Sequence, residues 1–411
     1  MKRRVILALL ALCCAAVPRQ PAQHRASGSF DVADLAYLPG STIPVRISGF
    51  NPPYRVFVSG SGTISDDLYD VGSAGVGTVI AASAAGLAMH TFDVAPPPNP
   101  KAPFIAVASY DDGIVLHDAH PPYRALSALG IGGAPGDVAI DRLGRIATAA
   151  TDGTSATIAT IDPWRVQRYD RVPFADELEF DPSDGSLFVS DRDVGGAGAL
   201  TRVTRDGSVT TRILGLTSEG LAIDAVRHRV YVANVNDGTV SSVDSRTLAE
   251  LRRFRVVDRV FSLALSGDGS RLYAVSNQSV NSPFNAAGSV VVVDVRAAVP
   301  HVVARSSRLT FPIGIAYDSH HRRLYVTDED TDSIDVLDAR TLRSVHAPLR
   351  TCQTPWKPLI DANLLYVPCA RSNQIDVFDT ATLQRAAGAP FGTGGYPLAL
   401  AVWHGRPSAA P

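Results

Sequence analysis

The sequence predicts an all-β protein whose larger part is a seven-bladed β-propeller, preceded by a small β-sandwich. Two patterns support this: a repeat of about 42 residues after residue 103, and differently spaced alternating strands before residue 95. Four short strands per repeat and almost no helical periodicity are typical of propeller blades. We place the equivalent position of the seven repeats at Ile105, Ala147, Phe188, Tyr231, Tyr273, Tyr325 and Tyr366.

One stretch shows the repeat most clearly. Residues 229–248 read RVYVANVNDGTVSSVDSRTL, and the pattern recurs as RLYVTDEDTDSIDVLDARTL (323–342) and LLYVPCARSNQIDVFDTATL (364–383). Each copy joins two strands through a polar loop and ends the second strand in an aspartate: Asp244, Asp338 or Asp379. We expect these aspartates to hold the following turn through Asx-type hydrogen bonds.

The two ends of the repeat region predict how the ring closes. The first unit begins at Phe104 without an innermost strand of its own, while an additional strand, YPLALAV, occupies residues 396–402. That strand matches FPIGIAY, which opens the sixth unit at residues 311–317. We therefore expect the C-terminal strand to complete the first blade, because a ring closed in this way leaves no unpaired terminal strand.

The chain divides into five predicted segments. Residues 1–25 form a signal peptide, with three basic residues before an apolar run too short to span a bilayer. Residues 26–95 form the sandwich, 96–103 a stiff proline-rich linker, 104–405 the propeller and 406–411 a disordered tail. The protein is therefore expected to be secreted or periplasmic. Cys13 and Cys14 leave a lipid-anchored form as an alternative.

Composition limits the partners. The net charge of −2 and the pI near 6.5 give no reason to expect nucleic acid as a partner, and we expect no transmembrane segment in the mature protein. After the signal peptide only Cys352 and Cys369 remain, and in an oxidising compartment this pair predicts a disulfide. Two buried free thiols are the alternative.

Propeller geometry sorts the loops onto two faces. The loops before the innermost strands share a face with the loops between the second and third strands, and that face is rich in carboxylates. It is also where the repeat is lengthened, at residues 191–199 and 277–288, and loops on a rigid scaffold often carry function. The candidate ligand-binding residues on it are Asp176, Glu177, Asp191, Glu219, Asn234, Asn277, Asp328, Lys357 and Arg371. The alternative is that Asp, Asn and Gly occur there because turns favour them.

A subset of these residues predicts a cation site. Glu177 and Glu219 begin innermost strands, and Asp191, Asn234 and Asp328 end second strands. Carboxylate and amide oxygens that converge on a central channel suit Ca²⁺ or Mg²⁺. No histidine is expected on this face, so acid–base or nucleophilic chemistry based on histidine is not predicted.

The segments YVAN (231–234) and YVTD (325–328), with the strands TVSSVD and SIDVLD, resemble the YVTN-repeat propellers. That extracytoplasmic family shares its fold with the lactonase and gluconolactonase-like propellers, and the resemblance covers about residues 104–404. The start of the strand at Ser218-Glu219-Gly220 resembles part of the gluconolactonase-like metal site, and the first module resembles bacterial immunoglobulin-like domains. Because propellers host many unrelated functions, the resemblance predicts fold more than activity.

The sequence therefore leaves two alternative functions. The first is a non-catalytic binding or scaffold module in the bacterial envelope, whose acidic face takes an envelope protein, a peptide or a glycan. The alternative is a metal-dependent, lactonase-like hydrolase with an oxygen-coordinated divalent cation in the channel.

Overall fold

The computed structural model describes residues 29–31, 35–48, 54–65, 68–73, 75–83, 86–151, 153, 155–172, 174–194, 196–277 and 288–406. The predicted signal peptide, most of the predicted tail and the lengthened loop after Asn277 lie outside these residues. Within them the regular structure is β-strand, apart from one 3-10 turn at Ala370–Ser372. No helix in this part of the chain has the length and apolar character needed to cross a membrane. The all-β prediction is confirmed.

The N-terminal region contains eight strands in three small sheets. The strands are β1 (Ser29–Asp31), β2 (Thr42–Pro44), β3 (Arg46–Ser48), β4 (Tyr54–Gly60), β5 (Gly62–Ser65), β6 (Leu68–Val71), β7 (Gly75–Ser83) and β8 (Gly86–Val94). The sheet orders are β1-β3, β2-β6-β5 and β4-β7-β8. The four segments whose alternating sequence predicts strands, residues 42–48, 54–59, 76–82 and 89–94, fall on these elements, while the immunoglobulin-like topology stays a prediction.

The rest of the described chain forms seven antiparallel sheets of four strands. Sheet 1 holds β9 (Phe104–Ser109), β10 (Gly113–Asp118) and β11 (Ala125–Leu129); sheet 2 holds β12 (Pro135–Ile140), β13 (Arg145–Ala150), β14 (Ser155–Ile161) and β15 (Trp164–Asp170). Sheet 3 holds β16 (Ala175–Phe180), β17 (Leu187–Val194), β18 (Ala197–Val203) and β19 (Val209–Ile213); sheet 4 holds β20 (Ser218–Asp224), β21 (Arg229–Asn234), β22 (Thr239–Asp244) and β23 (Glu250–Arg255).

Sheet 5 holds β24 (Ser262–Leu265), β25 (Arg271–Ser276), β26 (Ser289–Asp294) and β27 (His301–Arg305); sheet 6 holds β28 (Pro312–Asp318), β29 (Arg323–Asp328), β30 (Ser333–Asp338) and β31 (Leu349–Arg350). Sheet 7 holds β32 (Leu359–Asp361), β33 (Leu364–Cys369), β34 (Gln374–Asp379) and β35 (Phe391–Gly392). The last strand, β36 (Pro397–Trp403), pairs with β9 and completes sheet 1, so the predicted role of the C-terminal strand is confirmed. Four-stranded antiparallel sheets in this order are those expected of a β-propeller.

Apolar cores join neighbouring sheets. One core packs Ala222 and Tyr231 of sheet 4 against Leu263 and Leu272 of sheet 5, and comparable cores lie between each other consecutive pair. A further core contains residues of sheet 7 and sheet 1. The hydrophobic effect therefore holds each sheet against both of its neighbours, because the sheet buries both of its faces.

The N-terminal region packs directly on sheet 1. The Leu38 amide donates to the Ala128 carbonyl at 2.8 Å, and the Ala128 amide donates to the Ala36 carbonyl at 2.9 Å. The Trp164 indole of sheet 2 donates to the Pro39 carbonyl at 2.9 Å. This segment covers the outer edge of β11, which would otherwise present unpaired backbone groups. The sequence did not predict this docking.

The repeated aspartates hold turns, as predicted. Asp244 Oδ1 accepts hydrogen bonds from the Thr247 amide at 2.8 Å and the Thr247 hydroxyl at 2.9 Å. Asp338 and Asp379 make the same two contacts to the threonines that follow them. The register corrects one detail of the alignment: Ala401 pairs with Ala106 as Ala222 pairs with Tyr231, so the first repeat position is Ala106 and not Ile105.

Candidate functional site

The candidate site lies where the innermost strands begin. Five of these strands carry a register irregularity near their first residues: in β12 it falls between Pro135 and Asp137, in β16 between Ala175 and Leu178, in β20 between Ser218 and Leu221, and β28 and β36 have similar shifts. A β-bulge adds a residue to one strand and redirects its side chains. In β16 and β20 the redirected residues include Asp176, Glu177 and Glu219, so local backbone irregularity places three predicted candidates together. We call this end of the ring the mouth.

Three side chains form the floor of the mouth: Asp137, Glu177 and Lys357. Lys357 Nζ lies 2.7 Å from Asp137 Oδ2 and 3.5 Å from Glu177 Oε2, and so links sheet 7 to sheets 2 and 3. The same carboxylates also accept backbone hydrogen bonds, Asp137 from the Leu178 amide at 3.0 Å and Glu177 from the Leu221 amide at 2.9 Å. The floor therefore binds the sheets to one another.

Four side chains form a second group above the floor, the rim cluster: Asp176, Arg192, Glu219 and Arg259. Arg192 Nη2 lies 2.5 Å from Asp176 Oδ1, and Arg192 Nε lies 3.4 Å from Glu219 Oε1. The charge of Arg259 also acts on Glu219. Arg192 comes from the lengthened hairpin between β17 and β18, so that insertion supplies a cation to the mouth. The predicted acidic mouth is thus an ion-pair network in which three cations offset much of the negative charge.

Burial shifts the titration of these groups. It raises the pKa of the Glu177 carboxyl to about 7, with the charge of Lys357 acting in the opposite direction. It raises the pKa of Glu219 to about 8, and the charge of Asp176 adds to this. Burial alone would lower the pKa of the Lys357 ammonium, but the charges of Asp137 and Glu177 raise it above its ordinary value. Lys357 is therefore charged at neutral pH, while the two glutamates change protonation near it.

Below the floor, a channel of about 820 Å³ runs between the innermost strands. Most side chains that line the channel are aliphatic, but β16 contributes the carboxylate of Glu179. At the equivalent position the other sheets have Ala139, Ala222, Ala264, Ala316, Leu359 and Ala401. The Glu179 side chain is exposed to the channel, and the protein that surrounds the channel raises the pKa of its carboxyl to about 7 by desolvation. No histidine is among the channel-lining residues of the described chain.

Several buried polar atoms at the mouth have no hydrogen-bond partner among the described residues. They are Glu219 Oε2, Arg192 Nε, Arg259 Nε and the indole Nε1 of Trp356. The Glu219 residue is only 4% exposed. Unpartnered buried polar atoms are costly, and three of these four belong to the rim cluster, so a ligand or water bound there would complete that cluster.

Exposed aromatic side chains surround the mouth. Phe174 and Tyr396 immediately precede innermost strands, and Tyr110 follows β9 on the same face; they are 43%, 36% and 43% exposed. Tyr110 and Tyr396 form an edge-to-face pair with ring centroids 6.2 Å apart. Exposed aromatic rings beside charged groups are a common feature of interaction sites.

The structure separates the other predicted ligands from the mouth. Asp191 is buried against Thr201, whose hydroxyl donates to it at 2.6 Å. The Asn234 amide group donates to the Ser241 and Thr239 hydroxyls, and Asp328 accepts the amides of Thr310 and Phe311. These three residues bond within their own sheets, so the five predicted cation ligands do not share a site. Among the described residues, no group of three His, Cys, Asp or Glu side chains is arranged to hold a metal ion.

The remaining candidates lie elsewhere. Asn277 is buried at the last described residue before the lengthened loop. Arg371 lines a separate cavity of about 230 Å³ on the same face, with Glu329, Asp330, Asp332, Gln353 and Thr354. Cys352 and Cys369 are joined by a disulfide bond in the structure, with their Cα atoms 5.6 Å apart.

Sequence reasoning missed five residues of the site as candidates: Asp137, Glu179, Arg192, Arg259 and Trp356. A signal existed for Glu179, because a glutamate replaces alanine at a repeat position. Propeller geometry predicts Asp137, Arg192 and Arg259 on the mouth face, but no pattern in the sequence distinguishes them from the other loop residues there. Gly220 occupies in sheet 4 the position that Glu177 has in sheet 3, and one other sheet also has a glycine there. A side chain at Gly220 is excluded for a steric reason, because a Cβ would lie 2.8 Å from the Phe261 carbonyl oxygen.

No protein-family model matches the chain, and no curated protein sequence matches it. Solved β-propeller structures do resemble it. A functionally unknown protein from Desulfotomaculum acetoxidans superposes with a TM-score of 0.61 at 14% identity, covering 75% of this chain and 100% of the other. A protein named as a candidate 6-phosphogluconolactonase from Bacteroides fragilis gives 0.60 at 12% identity, with coverages of 75% and 99%.

Virginiamycin B lyase from Staphylococcus aureus gives a TM-score of 0.51 at 12% identity, covering 63% of this chain and 84% of the lyase. At such low identities the similarity shows the fold alone. The chain therefore has a β-propeller fold, and its function has to be argued from its own residues.

Proposed function

We propose that the chain is an extracytoplasmic, YVTN-type propeller of seven blades with an N-terminal immunoglobulin-like module, and that it is a binding module. Its ligand binds at the mouth. The observation that carries this proposal is that Glu219, Arg192 and Arg259 of the rim cluster each have a buried polar atom without a hydrogen-bond partner among the described residues. A purely structural ion-pair network would be expected to satisfy its own members.

The surroundings of the mouth support a role in binding. Exposed Tyr110, Phe174 and Tyr396 offer apolar surface beside charged groups that the fold holds in place. Aromatic residues and arginine are the side chains that contribute most to protein interfaces. An envelope protein, a peptide or a glycan would find both kinds of contact there.

The disulfide supports a location outside the cytoplasm. Cys352 and Cys369 are bonded, and such bonds persist in oxidising compartments. The N-terminal sequence, in which basic residues precede a short apolar run, favours export because this is the pattern of a signal peptide. We therefore place the mature protein in the periplasm or outside the cell.

A metal-dependent, lactonase-like hydrolase is the second candidate. The similarity of fold to the protein named as a candidate 6-phosphogluconolactonase is the observation that favours it. The separation of Asn234, Asp328 and Asp191 from the mouth counts against the predicted ligand set. We therefore rank binding first.

The test is a thermal-shift measurement on the mature protein, since a ligand that binds the folded state raises its apparent stability. The probes are neutral hexasaccharides, an acetylated tri-arginine peptide, and Mg²⁺ or Ca²⁺ with a sugar lactone. The variants are Glu219→Gln and Arg192→Met, with Glu250→Gln on an outer strand and the exposed Arg142→Met as matched controls. We expect a saccharide or the peptide to raise the melting temperature of the unmutated protein and of both controls, but not of the mouth variants.

Two results would contradict the proposal. A shift that persists in both mouth variants would place binding elsewhere. Lactone hydrolysis that requires Mg²⁺ or Ca²⁺ and is lost in Glu219→Gln would favour the hydrolase.

A further inference from the structure

The unpartnered atoms at the mouth define the chemistry of a ligand. Arg192 Nε, Arg259 Nε and Trp356 Nε1 are hydrogen-bond donors, whereas Glu219 Oε2 is an acceptor when ionised. All four are buried, and Glu219 is more than nine-tenths buried. A ligand that completes this site therefore has to accept from several donors, and it has to donate to Glu219 Oε2 when that carboxyl is ionised.

Charge distinguishes among the ligand classes. A cation would satisfy Glu219 but would also meet the positive charges of Arg192 and Arg259, which act on the same carboxylate. An anion would satisfy the three donors but would meet Asp176 and Glu219, which are paired with Arg192. A hydroxyl group donates and accepts at once and has no net charge to desolvate. Several hydroxyl groups on one small molecule satisfy all four atoms.

The rim of the mouth fits the other side of such a molecule. Sugar rings carry apolar C–H faces beside their hydroxyls, and these faces pack on the electron-rich faces of aromatic rings. Tyr110, Phe174 and Tyr396 are exposed on this face, and the Phe174 carbonyl accepts a hydrogen bond from the amide of Arg192 in the rim cluster.

We propose that the mouth binds a neutral oligosaccharide. This inference rests on the proposed binding function and names its ligand. One sugar unit bonds through its hydroxyls to Glu219, Arg192 and Trp356. Neighbouring units pack on the exposed rings of Tyr396, Tyr110 or Phe174.

The experiment is titration calorimetry of the mature protein with the hexasaccharides of glucose (β-1,4 and α-1,4), mannose and N-acetylglucosamine. We expect at least one to bind, with a Kd between about 1 µM and about 1 mM. Trp356→Phe keeps the ring and removes the indole N–H, and we expect it to weaken binding by about fivefold or more. Glu219→Gln and Tyr396→Ala should each weaken binding by about tenfold.

The matched control is Trp164→Phe, because the Trp164 indole donates to the Pro39 carbonyl on sheet 2, away from the mouth. It should leave the affinity unchanged. Binding of a neutral sugar should also be the same at about 0.05 M and about 0.5 M NaCl, whereas binding of a charged peptide weakens as salt screens the charges. Circular dichroism spectra and urea midpoints of each variant separate loss of binding from loss of folding.

The outcomes distinguish the inference from the function on which it rests. If no hexasaccharide binds and the tri-arginine peptide binds in a manner that Glu219→Gln abolishes, the mouth is a binding site but the oligosaccharide inference is overturned. If neither probe binds, both are overturned. If a hexasaccharide binds with undiminished affinity to Trp356→Phe and Glu219→Gln, the sugar site lies elsewhere.

Discussion

Lys357 and Asp137 are 220 residues apart in the sequence, and in the structure Lys357 Nζ lies 2.7 Å from Asp137 Oδ2. Asp137 is 3% exposed and also accepts the Leu178 amide, while about a third of the Lys357 side chain is exposed. One ion pair therefore links three sheets at the mouth. Both residues line the channel, and their charges act on Glu177 and Glu179.

Removing the ammonium should destabilise the protein. In Lys357→Met, Asp137 and Glu177 lose their cation in a largely buried site, and we expect the free energy of unfolding to fall by about 2 kcal/mol, less than for a fully buried pair because Lys357 is partly exposed. Urea unfolding measures this. Lys101→Met, at an exposed lysine of the predicted linker, is the control and should change stability by less than about 0.5 kcal/mol. Equal stability of the two variants would show that the pair contributes nothing.

Stability should decline as the pH rises towards 8, in part because of Asp191. Burial raises the pKa of this carboxyl to about 8, above its value in the unfolded chain. The folded state then holds a proton that the unfolded state releases, so the stabilisation is fully present at acidic pH and is lost as the pH rises through the folded pKa. Asp191→Asn removes this dependence, and its urea midpoint should fall less than that of the unmutated protein between about pH 5 and about pH 8.

The control for that experiment is Asp244→Asn. The amide of Thr247 lowers the pKa of Asp244, so its contribution is present at neutral pH and is lost as the pH falls through the folded pKa. This variant should change the pH dependence only in acid. Parallel midpoint curves for Asp191→Asn and the unmutated protein would contradict the role of Asp191.

The disulfide should stabilise sheet 7. Cys352 and Cys369 are separated by 17 positions, and cross-linking a loop of that size contributes about 3 kcal/mol by restricting the unfolded chain. We expect the double variant Cys352→Ala, Cys369→Ala to unfold at correspondingly lower urea. Dithiothreitol should lower the midpoint of the unmutated mature protein but leave that of the double variant unchanged. A thiol assay that finds two free thiols in the unfolded mature protein would contradict the bond.

The C-terminal strand should be essential to the fold. Trp403 is 5% exposed in the core shared by sheets 1 and 2, and its indole donates to the Pro100 carbonyl at 3.1 Å. Trp403→Ala should therefore cost about 3–5 kcal/mol in urea unfolding. Val226→Ala, at a side chain 84% exposed, should change stability by less than about 0.5 kcal/mol. A small effect of Trp403→Ala would mean that ring closure does not depend on this contact.

Much of the fold was predictable because the same strand pattern occurs seven times in the sequence. The period of about 42 residues and the pairing of the last strand with β9 follow from comparing the repeats with one another, and the turn function of Asp244, Asp338 and Asp379 follows from the sequence within single units. Turn geometry and strand alternation are local, so a short sequence window contains the information that specifies them. The docking of residues 36–38 on sheet 1 left no such pattern, because it depends on two surfaces that meet only after folding.

The site was only partly predictable. Glu177, Glu219 and Lys357 were correctly placed on one face, but Asn234 and Asp328 were expected in the channel and instead bond within their own sheets. The position of a residue along its strand predicts on which face of the propeller it lies, but a β-bulge or a neighbouring hydroxyl determines the direction of its side chain. The Asn234 side chain is held within its own sheet by hydrogen bonds to the hydroxyls of Ser241 and Thr239.

The sequence by itself determined the all-β class, the repeated four-stranded unit, the closing strand and which loops share a face, since these depend on contacts close in the chain or repeated along it. Only the tertiary structure decided that Arg192 meets Asp176 and Glu219, that Lys357 reaches Asp137, and that polar atoms of Glu219 and Trp356 remain unpartnered. The physical reason is that these groups come from different sheets. Their distances are set by how the apolar cores pack the sheets against one another, and no pattern within a single repeat encodes that packing.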